Sequence, residues 1–238
     1  MRAISIRQPW ASLTAAGIRD IDISNRDTKY RGRVLIHASS RRVGRDFGTD
    51  IPQDWLCRLR NAQMMGLVPY DEEVPLSAVI GIAELTDCVA EMQDSPWSAA
   101  GNNWVLRDMQ IFDEPVFGVK GKQGLFDVAG ITEGDLPPHH QPMQPWSSYD
   151  TGTFSLSMSE AEIERQIVDW PLVIMICDDR LATPLLSGDK LREVHHVRLS
   201  AGQSEKTFAV REAEIRTEEM AGHQVRYIAL HLCQEHNH

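Results

Sequence analysis

Arg19 and Asp22 stand three residues apart just beyond Gly17 in the run AAGIRDIDIS, where the glycine ends a helix and an alternating segment begins. Both therefore sit near a helix end, at the mouth of whatever the surrounding unit encloses. An arginine keeps its charge at any working pH, so Arg19 can orient a carbonyl or a phosphate but cannot serve as base or nucleophile. Glu84, on the later apolar segment VIGIAEL, offers a second carboxylate. With Asp22 and Glu84 facing Arg19, the three would stabilise or activate a polar group. His37, in VLIHAS, has the setting of a core histidine whose hydrogen bonds are satisfied. The remaining histidines do not make a metal site: His139-His140 lies among prolines, His195-His196 points to opposite faces of a strand, and Cys233-x-x-His236-x-His238 is one terminal cluster without a distant partner pair. No P-loop, G-x-G-x-x-G or G-x-S-x-G occurs, which leaves phosphoryl transfer, dinucleotide redox and serine hydrolysis without a motif; no cofactor is expected.

Charge points elsewhere. The 238 residues carry a net charge of −10, which argues against indiscriminate coating of nucleic acid. Residues 1–45 nevertheless hold ten Lys/Arg, among them Arg7, Arg19, Arg26 and Arg31, against three acids, a net of +7 that leaves −17 for the rest. Such asymmetry predicts a basic face that attracts phosphates and an acidic body that keeps binding local. No stretch of eighteen apolar residues occurs, so no membrane partner is expected. The start MRAISIRQPW has no apolar signal core, and the four cysteines lack C-x-x-C spacing, which together suit a reduced cytoplasm.

The elements that must position these groups follow from local pattern. Pro9 at a first helical position opens a helix through about Ala16, and Gly17 closes it. Ile18–Ser24 alternates as a strand with one charged face, and Val34-Leu35-Ile36 is a buried strand. A helix is predicted over Asp54–Met65, and a strand over Val79–Leu85 in which Gly81 marks a bulge or a close backbone approach. The loop Gln93–Asn103 could close over a cleft, with Trp97 as an aromatic candidate. Gly130–Thr153, with four prolines, reads as an interdomain linker or extended strap. Beyond it a capping box predicts a helix over Ser159–Asp169, followed by an apolar strand Leu172–Cys177, a short helix over Arg180–Ser187, a charged strand start after Gly188, and strands at Phe208–Glu212 and Val225–Leu230.

Several of these pieces carry a resemblance. Q-P-W-A, then G-I-R-D-I-D, then Y-R-G-R-V-L-I-H-A-S resembles the opening of an ASCH domain (activating signal cointegrator-1 homology), a PUA-like small β-barrel associated with RNA or modified nucleosides. Trp104-Val105-Leu106, Pro115-Val116 and Gly121-Lys122-Gln123-Gly124-Leu125-Phe126 resemble its closing strands. The resemblance implies an α+β chain: a PUA-like mixed β-barrel with flanking helices over residues 1–130, a Pro-rich linker or strap over 131–155, and a second α+β unit over 156–238. That second unit is similar, in L-L-S-G-x-K-x-x-E-V, to another ASCH-like module and would be a divergent repeat.

By the same resemblance, the family's cleft lysine, used with threonine and glutamate by members that remove an acyl group from N4 of cytidine, is Arg19 here, with Asp22 at the threonine position and Glu84 as the carboxylate. Lys122 by motif, and Lys190 in the second unit, are the lysines that remain for such chemistry. As a binding module, the cleft would hold an RNA base or a modified nucleoside, with Gln8 on the base edge, Trp10 stacking, and Arg7, Arg19, Arg26 and Arg31 on phosphates. The alternatives are an amidohydrolase on acylated cytidine, a ribonuclease, or a regulatory or prophage interaction protein without a nucleotide ligand. Arginine in place of lysine favours binding. Oligomeric state is left open by the sequence.

Overall fold

The structure, a computed structural model, describes residues 1–43, 51–70, 73–142, 153–158, 172–176, 189–201, 204–220 and 223–233. Two units emerge, Met1–Trp55 with Val68–Met143 and Leu56–Leu67 with Gln144–His238. The chain is α+β and mostly strand, as its alternation and apolar runs require.

In the first unit, β1 (Arg2–Gln8) leads into α1 (Trp10–Ala15), followed by β2 (Ile21–Ser24), β3 (Gly32–Arg42), the start of α2 (Gln53–Met64), β4 (Ala78–Val89), β5 (Asn102–Phe117), β6 (Leu125–Asp127) and β7 (His139–His140). The strands form one curled mixed sheet in the order β2-β5-β4-β3-β1-β6, with β7 added to β5. β1 runs parallel to β3, whereas its other neighbour β6 is antiparallel. Both faces of the sheet are covered. Val34 and Ile36 of β3 join Ile4, Ile6, Leu85 and Leu106 in one apolar cluster, while Leu35 joins Ala3, Val79, Ile82 and Phe126 in another. This is why β3 is a continuous apolar run and not an alternating one. Each such side chain taken fully out of water contributes roughly 1.5–3 kcal/mol.

α1 is buried along nearly its whole length because its residues are small: Ala11, Ser12, Leu13, Thr14 and Ala15 are all enclosed. Gly81 makes room for it. A Cβ there would lie 3.4 Å from the Ala15 methyl and 2.5 Å from the Gln110 carbonyl oxygen, so the close backbone approach expected of this glycine is present. Gly17, at φ +70°, closes the helix as expected. Pro9, reached through a cis peptide bond, stands at the cap and not at the first helical position. The strand expected from Ile18 begins only at Ile21. The reason is local, since the N–H groups of both Ile18 and Arg19 turn back to the Leu13 carbonyl, 3.0 and 3.1 Å away, and are lost to a sheet.

In the second unit, β8 (Thr153–Ser157), β9 (Leu172–Ile176), α3 (Asp189–Arg192), β10 (His196–Ala201), β11 (Ser204–Met220) and β12 (His223–Cys233) build a sheet in the order β8-β10-β11-β12-β9. Its core gathers Leu156, Leu172, Ile174, Val197, Leu199, Ile228 and Leu230, with Met64 of α2. The strands expected near 172–177, 208–212 and 225–230 are present. After Gly188, however, the chain enters α3 and not a strand, because Leu191 and Val194 at helical spacing are both buried in that core. The expected helices over 159–169 and 180–187, and His236 and His238, lie outside the described residues, as does the part of the strap from 143 to 152. The earlier part of the strap, through β7, is hydrogen-bonded to β5. Cys57 is disulfide-bonded while Cys88 and Cys233 are free thiols, so uniformly reduced cysteines do not describe Cys57. Among the described residues no helix is long and apolar enough to cross a membrane.

Candidate functional site

A cleft of about 1220 Å³ opens in the first unit, lined by β1, the loop after α1, β2, the end of β3, the start of α2 and the loop Gly118–Gly124. Two groups of side chains define it. The first is built on Arg19. Its side chain reaches forward to β2 and sets a terminal nitrogen 3.3 Å from Asp22 Oδ1, with the residue only 3% exposed. Burial dominates the titration of both partners, pulling the guanidinium down and pushing the Asp22 carboxyl up, with their mutual attraction opposing each shift. The Arg19 Nε–H is buried and has no hydrogen-bond partner among the described residues. A donor left in that state costs about 1–3 kcal/mol unless something binds it.

Aromatic rings stand beside this pair. Trp104 is opposite Asp22 in the β2–β5 register and donates its indole N–H to the Arg26 carbonyl at 2.9 Å. Trp10 and Trp55, both half-buried, line the cleft and pack edge to face with ring centroids 6.0 Å apart. Trp97 supports them from behind at 6.1 Å from Trp10 and 5.6 Å from Trp55. The expected role of Trp97 in covering the cleft is thus corrected: it is fully buried, with its indole N–H on the Ile18 carbonyl at 2.9 Å. Its loop is tied down by Ser95 Oγ on Asp20 at 2.6 Å, and by Asn103, whose amide donates to the Ala90 and Ala99 carbonyls.

The second group is centred on His37, 1% exposed. Its Nε2 lies 2.9 Å from the Val119 carbonyl and its Nδ1 2.9 Å from Ser5 Oγ. A carbonyl only accepts, so Nε2 carries the proton and the neutral ring receives the Ser5 hydroxyl at Nδ1. Gly121 lies so close above that a Cβ would come within 2.5 Å of His37 Cε1 and 2.8 Å of Ser5 Oγ. The histidine is satisfied, as expected, and it pins the loop that carries Lys120 and Lys122. Burial holds its pKa below the ordinary value of about 6.5. As pH falls through that value the unfolded chain takes up a proton that folded His37 resists, so stability present above it is lost on the acid side. Between about pH 7.5 and 5 the wild type should therefore lose more stability than His37→Gln in thermal melts; parallel curves would remove this contribution.

The structure brings together Arg7, Trp10, Arg19, Asp22 and Lys122 of the residues expected at the site. It does not bring the others. Gln8 is fully buried and committed: Oε1 accepts from the Ser12 N–H and hydroxyl, both at 3.0 Å, and Nε2 donates to the Pro75 carbonyl at 3.0 Å. It holds the start of α1 and cannot also read a base. Glu84 is exposed and outside the cleft, in register with Arg107 and Arg33. Arg26 contributes only its backbone, and Arg31 is spent on Asp87 at 2.7 Å and on the Thr28 and Tyr30 carbonyls at 2.9 Å. Lys190 falls on α3 of the second unit. In place of Arg26 and Arg31 the cleft gains Arg41 and Lys120, so that five cations face one carboxylate among the described lining residues. Lys120 had a signal in sequence, two residues before Lys122 in the same glycine-rich run; Arg41 had only its place in the basic N-terminal segment.

No family model matches the chain. One segment is similar to a known protein. Over 90 residues it is 27% identical to activating signal cointegrator 1 of Homo sapiens and 28% identical to that of Mus musculus. The match takes in 38% of this chain but only 15% of the length of either relative. Activating signal cointegrator 1 is the protein after which the ASCH domain is named, so the likeness agrees with the motifs in the sequence.

Proposed function

We propose that the first unit is an ASCH-type, PUA-like domain that binds single-stranded RNA, taking an unpaired nucleotide into the cleft. The observation that carries this is the lining itself: among the described residues, five cations to one carboxylate, set among half-buried tryptophan rings. Cations hold phosphates without reading sequence, and aromatic faces accept any unpaired base. The buried Arg19 Nε–H, without a protein partner among the described residues, suits a base carbonyl or a phosphate oxygen. Hydrolysis of an acylated cytidine is less well supported, because Arg19 cannot take a proton, Asp22 is held in its ion pair, and Glu84 is outside the cleft.

The test is a salt titration of RNA binding by the full chain. Phosphate contacts on a single strand contribute a slope of about −0.7 each, so three or four contacts from the lining cations give about −2 to −3. Between about 50 and 200 mM salt the affinity should drop roughly 20- to 50-fold. A flat response, or no binding at the lower salt, would overturn the proposal and leave a neutral nucleoside or a protein as the ligand.

A further inference from the structure

Phe117, the last residue of β5, is 65% exposed, the most exposed large apolar side chain among the described residues. Single exposed apolar residues are ordinary on protein surfaces. What sets Phe117 apart is its position. Its register partner on β4 is Ala78, next to Ser77, and it is followed by Gly118; both Ser77 and Gly118 line the cleft. Ser77 and Gly118 each hold a left-handed backbone, at φ +52° and +81°, so the chain turns sharply on either side of the pair. A Cβ on Gly118 would meet nothing within 4 Å, so this glycine serves the turn and not the packing. The next residue, Val119, is the one whose carbonyl His37 anchors, and exposed Lys120 and Lys122 follow directly. The outcome is a benzyl ring displayed at the cleft rim on a pinned loop, with cations within a few residues along the chain and Arg41 also lining the opening.

We propose that Phe117 is a stacking shelf for the base next to the one held in the cleft, so that the ligand is a strand of at least two unpaired nucleotides and not a lone nucleoside. This rests on the RNA-binding role proposed above and extends it beyond the cleft. A neutral aromatic face takes any base, and the neighbouring lysines take the phosphates between the two bases. Stacking adds affinity without releasing counterions, so it and the phosphate contacts separate in a salt titration.

The experiment compares wild type, Phe117→Ala, Phe117→Trp and Lys120→Ala, each as full chain, on a single-stranded RNA of about ten nucleotides and on a mononucleotide. Phe117→Ala should weaken the RNA by roughly 5- to 100-fold with an unchanged salt slope and leave the mononucleotide unaffected, and Phe117→Trp should restore binding. Lys120→Ala should instead reduce the slope by about 0.7. With 2-aminopurine next to the cleft-held nucleotide, binding should quench its fluorescence in wild type and not in Phe117→Ala. Salt-dependent RNA binding that Phe117→Ala leaves at wild-type strength would remove the shelf and keep the cleft. Equal losses for RNA and mononucleotide would show that the substitution disturbs the loop, which also removes the shelf. Absence of salt-dependent RNA binding in the wild type itself would overturn the underlying role and the shelf with it.

Discussion

Replacing Arg19 with alanine is expected to lower the stability of the first unit by about 3–5 kcal/mol, the usual cost of breaking one side of a buried ion pair. The Arg19 side chain is 4% exposed, and the Asp22 side chain left behind is 18% exposed, too little for water to solvate a stranded carboxylate well. Burial already pushes Asp22 upward, and removing its counter-charge pushes it further the same way. The variant should then fold with Asp22 protonated or not fold well. Urea unfolding followed by tryptophan fluorescence reports on the right region, because Trp10, Trp55, Trp97 and Trp104 all belong to this unit. Arg19→Lys keeps a cation near Asp22 and should recover a good part of the loss. If alanine and lysine cost the same, packing of the long side chain is what matters; if alanine costs under about 1 kcal/mol, the pair behaves like an exposed one and the burial argued for it is wrong.

A comparable loss is expected from a substitution far gentler on paper. Gly81→Ala adds one methyl group, yet its Cβ would sit 2.5 Å from the Gln110 carbonyl oxygen and 3.4 Å from Ala15. Overpacking of a core usually costs about 1–3 kcal/mol because neighbouring side chains shift aside. Here the obstacle is backbone of the adjacent strand, which cannot rotate away, so about 3 kcal/mol or more is expected. Gly134→Ala is the control: its nearest neighbour would be Thr132 Oγ1 at 3.9 Å, an ordinary contact, and the change should be close to neutral. Similar urea midpoints for the two variants would mean that β4 and β5 can separate at Gly81 without loss.

Gly81 was legible in the sequence because a glycine weakens an apolar strand, so its presence inside one points to a bulge or to backbone packed too closely for a side chain. The same holds for Gly17 and for β3, whose signals are local. Glu84 was not legible for the same kind of reason turned around. In the β3–β4 pairing Ile36 faces Gly81 while the next residue, His37, faces Val79, so Ile80 is an extra residue on β4, and this one bulge reverses the face that every later side chain occupies. Counting by twos along the sequence therefore sends Glu84 the wrong way. The ion pair of Arg31 has no local signal, because its partner Asp87 is fifty-six positions away and meets it only once β3 and β4 pair. Gln8 illustrates a third limit. A glutamine before a helix can look outward to a ligand or back to the helix start, and only the tertiary position of Pro75 gives its amide NH2 an acceptor. Arg19 and Asp22 were found because their spacing alone brings them together.

The pairing of β1 with β6 bears on how the polypeptide is made. Residues 2–4 meet 125–127, so β1 is held on that side by a partner synthesised more than a hundred residues later. Until then that edge of β1 is open to neighbouring nascent chains, the kind of interval in which chaperones act. The second unit has no such delay at its centre, where β11 and β12 follow one another directly and zip together along nearly the whole of β12. Closure between such distant positions is entropically slow, whereas a hairpin needs only its own turn. A chain stalled short of residue 125 would thus carry every cleft residue contributed by β1, β2 and β3 and still lack the strand that completes the sheet beside them.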